Sequence, residues 1–454
     1  DWPTFRHDAM RSGATDMVVP ESLDIRWTAT LEGRVSQTTV ADGRVFVAEI
    51  DRHCVAAISV DTGEVLWRFT TGARVDTPPT IHGGLAIFGS ADGHVYCLNA
   101  ADGRLVWRRR IAPHDRYCGA EGQIESAWPV HGSVLVREGV VYATAGRCSF
   151  LDGGIRVVGI DATSGELLHD QTLAGPYDGA GQTRENPNRG FVMPGSLPDI
   201  LAADDSNIYM RHMLMDPTLT EVADRNPNFW PVNDPTQRRG EEFGGDHKFW
   251  CDIMEAPRLA LRSMPEWYHR SYFCNFPGLR LYSTTGLLDD SWHIRSYWSY
   301  GQIVGQHLVF RGRRGYAVKA YPNAARWLTY KMGTGYTLYA GDTAAPQSNE
   351  KLFALKPEEH LWNVTLPIRP TAMILSADRL LVAGPADAAD PQLALEHIQG
   401  LHGAQLWTIS TKDGSKQDAV KLPSPPIFNG ISAAEGRVFV STQDGKIVAL
   451  GSAK

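Results

Sequence analysis

The sequence predicts an all-β propeller, on three observations. A unit of about 40 residues is written twice in succession, as GRVFVAE…CVAAISVDTGEVLW and then GGLAIFGSADGHVYCLNAADGRLVW. Its closing tryptophans, Trp67 and Trp107, stand 40 residues apart, and Trp27 stands 40 residues before the first. A fixed period of this length marks a repeat array such as a set of propeller blades. Turn pairs part the β-rich runs: Asp42-Gly43, Asp61-Thr62-Gly63, Asp92-Gly93 and Asp102-Gly103. Glycine accepts positive φ, so such pairs close tight hairpins between strands.

These residues resemble the PQQ-like β-propeller repeat, whose blades end in a T-G-x-x-x-W type of turn and strand. Here that reads Asp61, Thr62, Gly63 and Trp67, then Asp102, Gly103 and Trp107. A weaker copy is Asp161, Ser164, Gly165 and Glu166, with His169 near the tryptophan place. The resemblance implies that each tryptophan wedges between neighbouring blades. It spans most of the chain, which is also similar to PQQ-like repeat proteins of environmental bacteria such as planctomycetes. That likeness implies an exported protein, periplasmic or extracellular.

Taken in order, residues 1–23 read as an irregular lead-in. Trp2, Pro3, Phe5, Arg11, Ser12 and Gly13 resemble the W-P-x-x-R-x-x-x-x-x-G opening found before such propellers. The rest, 24–454, reads as a single propeller. The strand at 24–31 has no earlier strands of its own, and the C-terminal unit at 422–451 stops before its tryptophan strand. Pairing the two closes the ring and removes the free edge. Blade one is expected near 33–70, blade two near 72–110 and blade three near 125–172. Blade four begins near Leu197 and resumes near Leu279, with a lid-like insertion at 216–278 between. Blade five runs from about Ser291, blade six from about Arg369, and blade seven is the mixed one. The count is seven, with eight as the alternative. Residues 111–126 form a long connection between blades two and three.

Composition narrows the function. The formal net charge is −7, without the basic surplus of a nucleic-acid binder. No apolar run is long enough to span a bilayer. Asp1 opens directly into DWPTFRHDAM, so any leader is expected to have been removed. None of the six cysteines forms C-x-x-C. An even count suits disulfides in an exported chain, and Cys118–Cys148 and Cys251–Cys274 are the candidate pairs because each brackets a local excursion. G-x-S-x-G, P-loop and H-E-x-x-H motifs are missing, which removes serine hydrolase, NTPase and zincin readings.

Three polar clusters are candidate sites at the mouth of the central channel. The first is Arg116, Gln123, Glu125, Ser126, Trp128 and His131, leading into blade three. The second is Arg147, Ser149, Asp152 and Gly153, replacing a simple Asp-Gly turn. The third is LLDDSWHIRSYWSY, where strand alternation puts Asp289, His293, Arg295 and Tyr297 on one face and Trp292 and Trp298 on the other. Asp290 lies in the same run. In the insertion, Trp250 and Trp267 offer aromatic faces. His212, Asp246 and His247 are weak metal candidates.

The reading drawn from these is an exported carbohydrate-active enzyme acting on an acidic polysaccharide or oligosaccharide by β-elimination. His293 or Tyr297 would be the base. Arg295, Arg147 or Arg116 would neutralise the carboxylate. A hydrolase would instead use Glu125 with Asp289 or Asp290. The alternatives are a non-catalytic binding scaffold of the cell envelope and a PQQ-dependent dehydrogenase. No cofactor is expected, though a divalent metal is admitted; PQQ is not expected, because the adjacent cysteine pair of its best-known binders is missing. The oligomeric state is left open.

Overall fold

The computed structural model describes residues 1–175, 196–211, 213–222, 279–283, 285–290, 297–320, 332–343 and 355–452. They form an eight-bladed β-propeller. The first blade is β2–β5 (Val35–Ala41, Arg44–Glu49, Cys54–Ser59, Val65–Thr70) and the second β6–β9 (Thr80–His82, Leu85–Ser90, His94–Asn99, Leu105–Arg110). A two-stranded hairpin, β10 (Tyr117–Ala120) and β11 (Gln123–Ser126), precedes the third blade, β12–β15 (Leu135–Arg137, Val140–Ala145, Ile155–Asp161, Leu167–Leu173). The fourth shows β16–β18 (Ala202–Ala203, Ile208–Met210, Met213–Met215) and the fifth β19–β21 (Leu281–Ser283, Trp298–Tyr300, Ile303–Gly305). The sixth is β22–β25 (His307–Arg311, Arg314–Lys319, Tyr336–Asp342, Trp362–Leu366) and the seventh β26–β29 (Ala372–Leu375, Arg379–Gly384, Ala404–Ser410, Lys416–Leu422). In the eighth, β30–β32 (Pro426–Ala434, Arg437–Thr442, Lys446–Ser452) are completed by β1 (Leu23–Thr30), antiparallel to β32 from Leu23↔Ser452 to Thr30↔Lys446.

The seven-blade count falls short by one. Strands before and after 223–278 belong to different sheets, so the unit read as blade four is two blades. Residues 223–278 of the insertion, with Trp250, Trp267, Asp246 and His247, lie outside the described residues, as does His212.

Among the described residues, the blades interlock through one contact used four times. Indole N–H groups of Trp27, Trp67, Trp107 and Trp362 donate to the carbonyls of Val60, Ala100, Ala162 and Thr411 in the next blade, at 2.8–3.1 Å. Each ring lies on a turn glycine: Gly63, Gly103, Gly165 and Gly414, respectively. At Gly103 φ is +71°, and a Cβ there would lie 2.6 Å from Trp67. The turn therefore needs glycine for its backbone and for the ring it carries. Trp67→Ala is expected to cost about 3 kcal/mol, the lower end of the range for a large aromatic, because Trp67 is half-buried. Urea unfolding checks this.

The lead-in plugs the ring axis. Trp2 exchanges two backbone bonds with Val40 on β2 (2.7 and 2.9 Å), and Pro3 accepts from Ile81 on β6. Ala9 accepts from Ala203 on β16, Ser12 from Phe310 on β22 and Gly13 from Leu375 on β26. Trp2, Phe5, Arg6 and Arg11 are all buried. Residues 1–15 thus stitch the inner strands together at the end where those strands turn outward. Arg6, His7 and Arg11 have φ of 57°, 79° and 59°, a region costly for side-chain-bearing residues and held only by over-determined surroundings.

Candidate functional site

At the end of the ring opposite the plug, here called the mouth, the hairpin β10–β11 lies against the first three blades. Its turn has positive φ at Glu121 (49°) and Gly122 (74°), the left-handed pair that matches strand twist in a two-residue hairpin. One face of the hairpin is tied down. Gln123 Oε1 lies 2.8 Å from His53 Nε2. Glu125, 4% exposed, receives Arg74 Nη1 and lies 3.5 Å from Arg147 Nη2. Arg74 Nε also donates to Asp76 at 2.8 Å, and Glu121 approaches Arg74 (3.8 Å) and Arg34 (3.7 Å). Arg34 in turn pairs with Asp51 at 2.8 Å. Arg116 Nη1 meets Asp152 at 2.8 Å, joining the hairpin to the loop between β13 and β14.

Burial pushes the Glu125 carboxyl above its ordinary value, against the pull of Arg74. Burial alone would lower Arg74, but Asp76, Glu125 and Glu121 hold it above the usual arginine range. A buried ion pair of this kind is costly to break on one side only, because the remaining charge stays desolvated. Arg74→Met is therefore expected to release the hairpin so that Glu125 can reach water. Amide exchange over 117–126 should accelerate at least about tenfold, equivalent to about 1.4 kcal/mol, while the blades stay protected.

The first two clusters read from the sequence meet here: Glu125 with Arg147, and Arg116 with Asp152. Trp128 does not join them as a platform. It is 4% exposed, packs in the core of blades two and three, and meets the His114 ring edge-on at 5.7 Å. His131 is half-buried, and its charge acts on buried Asp199, whose carboxyl is raised by burial and lowered by Arg211. Arg34, Asp51, Arg74, Asp76 and Glu121 were missed. They stand in ordinary short connections, and only the hairpin's fold brings them to Glu125.

Only the two ends of the third cluster are described. Residues 287–290 turn, with Asp289 N–H on the Gly286 carbonyl at 3.3 Å, and β20 is described from Trp298. Tyr297 is 5% exposed and so is not displayed on a wet face, whereas Asp290 is exposed. His293 and Arg295 lie outside the described residues. Trp298 lies beneath the Arg6 guanidinium at 4.5 Å and beside His307 and Phe428, in the wall around the plug.

The Cys118–Cys148 disulfide is corrected too: both thiols are free. Cys118 lies opposite Glu125 in the hairpin, with its Sγ 3.8 Å from the Glu125 carbonyl, while Cys148 belongs to the loop after β13. Cys251 and Cys274 lie outside the described residues.

PQQ, an ortho-quinone bearing three carboxylates, needs cationic partners and a neighbouring metal. Among the described residues no three His, Cys, Asp or Glu side chains converge to hold a metal ion. Arg74, the most enclosed cation of the mouth, is already held by Asp76 and Glu125. No described helix is long and apolar enough to cross a membrane.

Residues 17–177 match a family model described as outer membrane protein assembly factor BamB. A quinoprotein ethanol dehydrogenase of Pseudomonas aeruginosa is 32% identical over 92 residues, 18% of this chain and 14% of that protein. BamB of Yersinia pestis is 24% identical over 160 residues, 34% of this chain and 38% of that protein. The chain thus matches well under half the length of either relative. A europium-containing methanol dehydrogenase superposes with a TM-score of 0.51 at 10% identity, covering 99% of this chain and 98% of that one, a likeness of fold alone. These are dehydrogenases and an assembly factor, not glycan-cleaving enzymes, which overturns the polysaccharide lyase expectation. Its residues agree with the correction: Tyr297 is buried and Glu125 is locked between arginines. Fold, repeat and family match agree that the chain is a PQQ-like β-propeller repeat protein.

Proposed function

We propose that this chain is a non-catalytic binding propeller of the cell envelope, working on the periplasmic or extracellular side without PQQ. The observation that carries the reading is the closed ion-pair network at the mouth. Arg74, Asp76, Glu121, Glu125 and Arg147 spend their charge on one another and on holding a hairpin in place. A general acid or base needs its proton within reach of a substrate; Glu125 is 4% exposed and bound from both sides. A rigid ring with loops standing on a fixed mouth suits recognition instead. The partial likeness to an outer membrane assembly factor supports the envelope and the scaffold role.

The test uses tagged full chain, cross-linked in intact cells and fractionated. The expected result is an envelope location and one protein recovered in near-stoichiometric amount. Recovery should fall in the Arg74→Met variant. A chain recovered alone, or outside the envelope, would overturn the reading.

A further inference from the structure

Among the described residues, β10 stands at an unpaired edge of its two-stranded sheet. Ala127 N–H donates to the Arg116 carbonyl at 2.8 Å. In an antiparallel pair the bonded positions alternate, so residues 116, 118 and 120 face β11. The backbone N–H and C=O of Tyr117 and Gly119 therefore point away from it, and both residues are exposed. Among the described residues β10 pairs with no strand but β11.

Edges of this kind are normally guarded by charge, because they template pairing with another chain. The outer strands of this ring follow that rule: Asp24, Arg68, Arg108, Asp170 and Lys416 stand exposed on β1, β5, β9, β15 and β29. The sequence of β10, YCGA, carries no charge. The solvent side of the hairpin is also apolar. Tyr117 is 61% and Ile124 72% exposed, and a Cβ on Gly119 between them would touch nothing within 4 Å. The opposite side is fixed by Gln123 and Glu125, so the edge is presented already ordered.

We infer that β10 is a docking edge for an extended segment of a protein partner, which adds as a strand beside Tyr117–Ala120 and lays alternate apolar side chains across Tyr117 and Ile124. This rests on the binding reading and names the class of partner. Backbone groups of Tyr117 and Gly119 supply the affinity, and the two exposed side chains select the sequence. A second copy of this chain is the weaker occupant. A four-residue edge with two exposed side chains falls well short of the roughly 1,200 Å² that a stable pair of subunits buries. The edge suits a peptide segment held at modest affinity.

The test selects a phage-displayed library of random linear dodecapeptides on the immobilised full chain. Enriched peptides are expected to alternate apolar and polar residues. A synthetic copy should slow amide exchange at Tyr117 and Gly119 by about tenfold or more. Gly119→Pro removes one outward N–H and is tolerated at a strand edge; it should weaken binding about tenfold. Tyr117→Lys, which guards the edge without touching the backbone, should do the same, and Leu66→Lys on β5 should leave binding unchanged. Peptides that bind both edge variants as well as the parent, that protect another segment, or that fail to enrich would overturn the inference. If cross-linking in cells still recovers a partner, strand addition alone has failed. If it does not, the binding reading has failed as well.

Discussion

His307→Phe is expected to remove a large part of the protein's sensitivity to acid. His307 is fully buried at the start of β22, with its ring centroid 4.9 Å from that of Phe428 and 5.9 Å from that of Trp298. Burial holds its pKa down to about 3, and the nearby Arg6 charge pushes the same way. The unfolded value is near 6.5. Between these limits the unfolded chain binds a proton that the folded chain refuses, so stability rises with pH across the window. The contribution is complete above about pH 6.5 and is lost progressively as pH falls toward 3. Near pH 4.5 the loss from this one group is on the order of 3 kcal/mol. Phenylalanine fits an aromatic setting and cannot titrate. Urea unfolding of both proteins at about pH 7 and about pH 4.5 measures the difference. The variant should lose much less between the two, though not nothing, because His360 is also held down to about 4, chiefly by burial. An unchanged acid loss would exclude His307 as its source.

Arg11→Met is expected to be the most damaging single change in the lead-in, at about 3–5 kcal/mol. Arg11 is 0% exposed. Its Nε donates to the Leu201 carbonyl at 2.9 Å, Nη1 to Thr4 Oγ1 at 2.7 Å and the Phe5 carbonyl at 3.0 Å, and Nη2 to the Val134 carbonyl at 3.5 Å. One guanidinium therefore joins the plug to blades three and four. Burial lowers its pKa to about 10, with Asp8 and Asp199 opposing. Methionine restores most of the volume but none of the donors, and an acceptor left unmet inside a protein costs about 1–3 kcal/mol. Thermal and urea unfolding should show a large loss, with amide exchange rising first in residues 1–15. A loss below about 1 kcal/mol would mean that the plug is an ornament of the ring and not part of its frame.

Much of the fold was legible because the repeat is local. Trp27, Trp67 and Trp107 with their turn glycines give the period, and the structure shows each ring seated on the following blade's glycine. The blade count was not legible in the middle of the chain. The visible strands there are two or three residues long, too short to carry an alternation, and no tryptophan turn marks the boundary. The mouth was half legible. Glu125 stood out in the run leading into blade three, and Arg147 in the loop that replaces a simple Asp-Gly turn. Arg74, the partner of Glu125, lies 51 residues from it in a plain connection, and nothing local announces such a pair. Alternation is a pattern of strands, and at the start of the run Asp289 follows a turn closed on Gly286, so it does not apply there. The lead-in was seen as an opening motif, but its place on the axis follows from contacts with strands up to 423 residues away, as at Arg6 and Asn429.

The measurement that tests the account most directly is a titration of the full chain with PQQ and calcium. The mixture is passed through a sizing column, and the protein peak is read for quinone absorbance and for dye reduction with a primary alcohol. A binding propeller whose mouth charges are structural predicts a peak free of quinone and no dye reduction. Quinone retained in stoichiometric amount, with dye reduction that disappears in Arg74→Met, would contradict it.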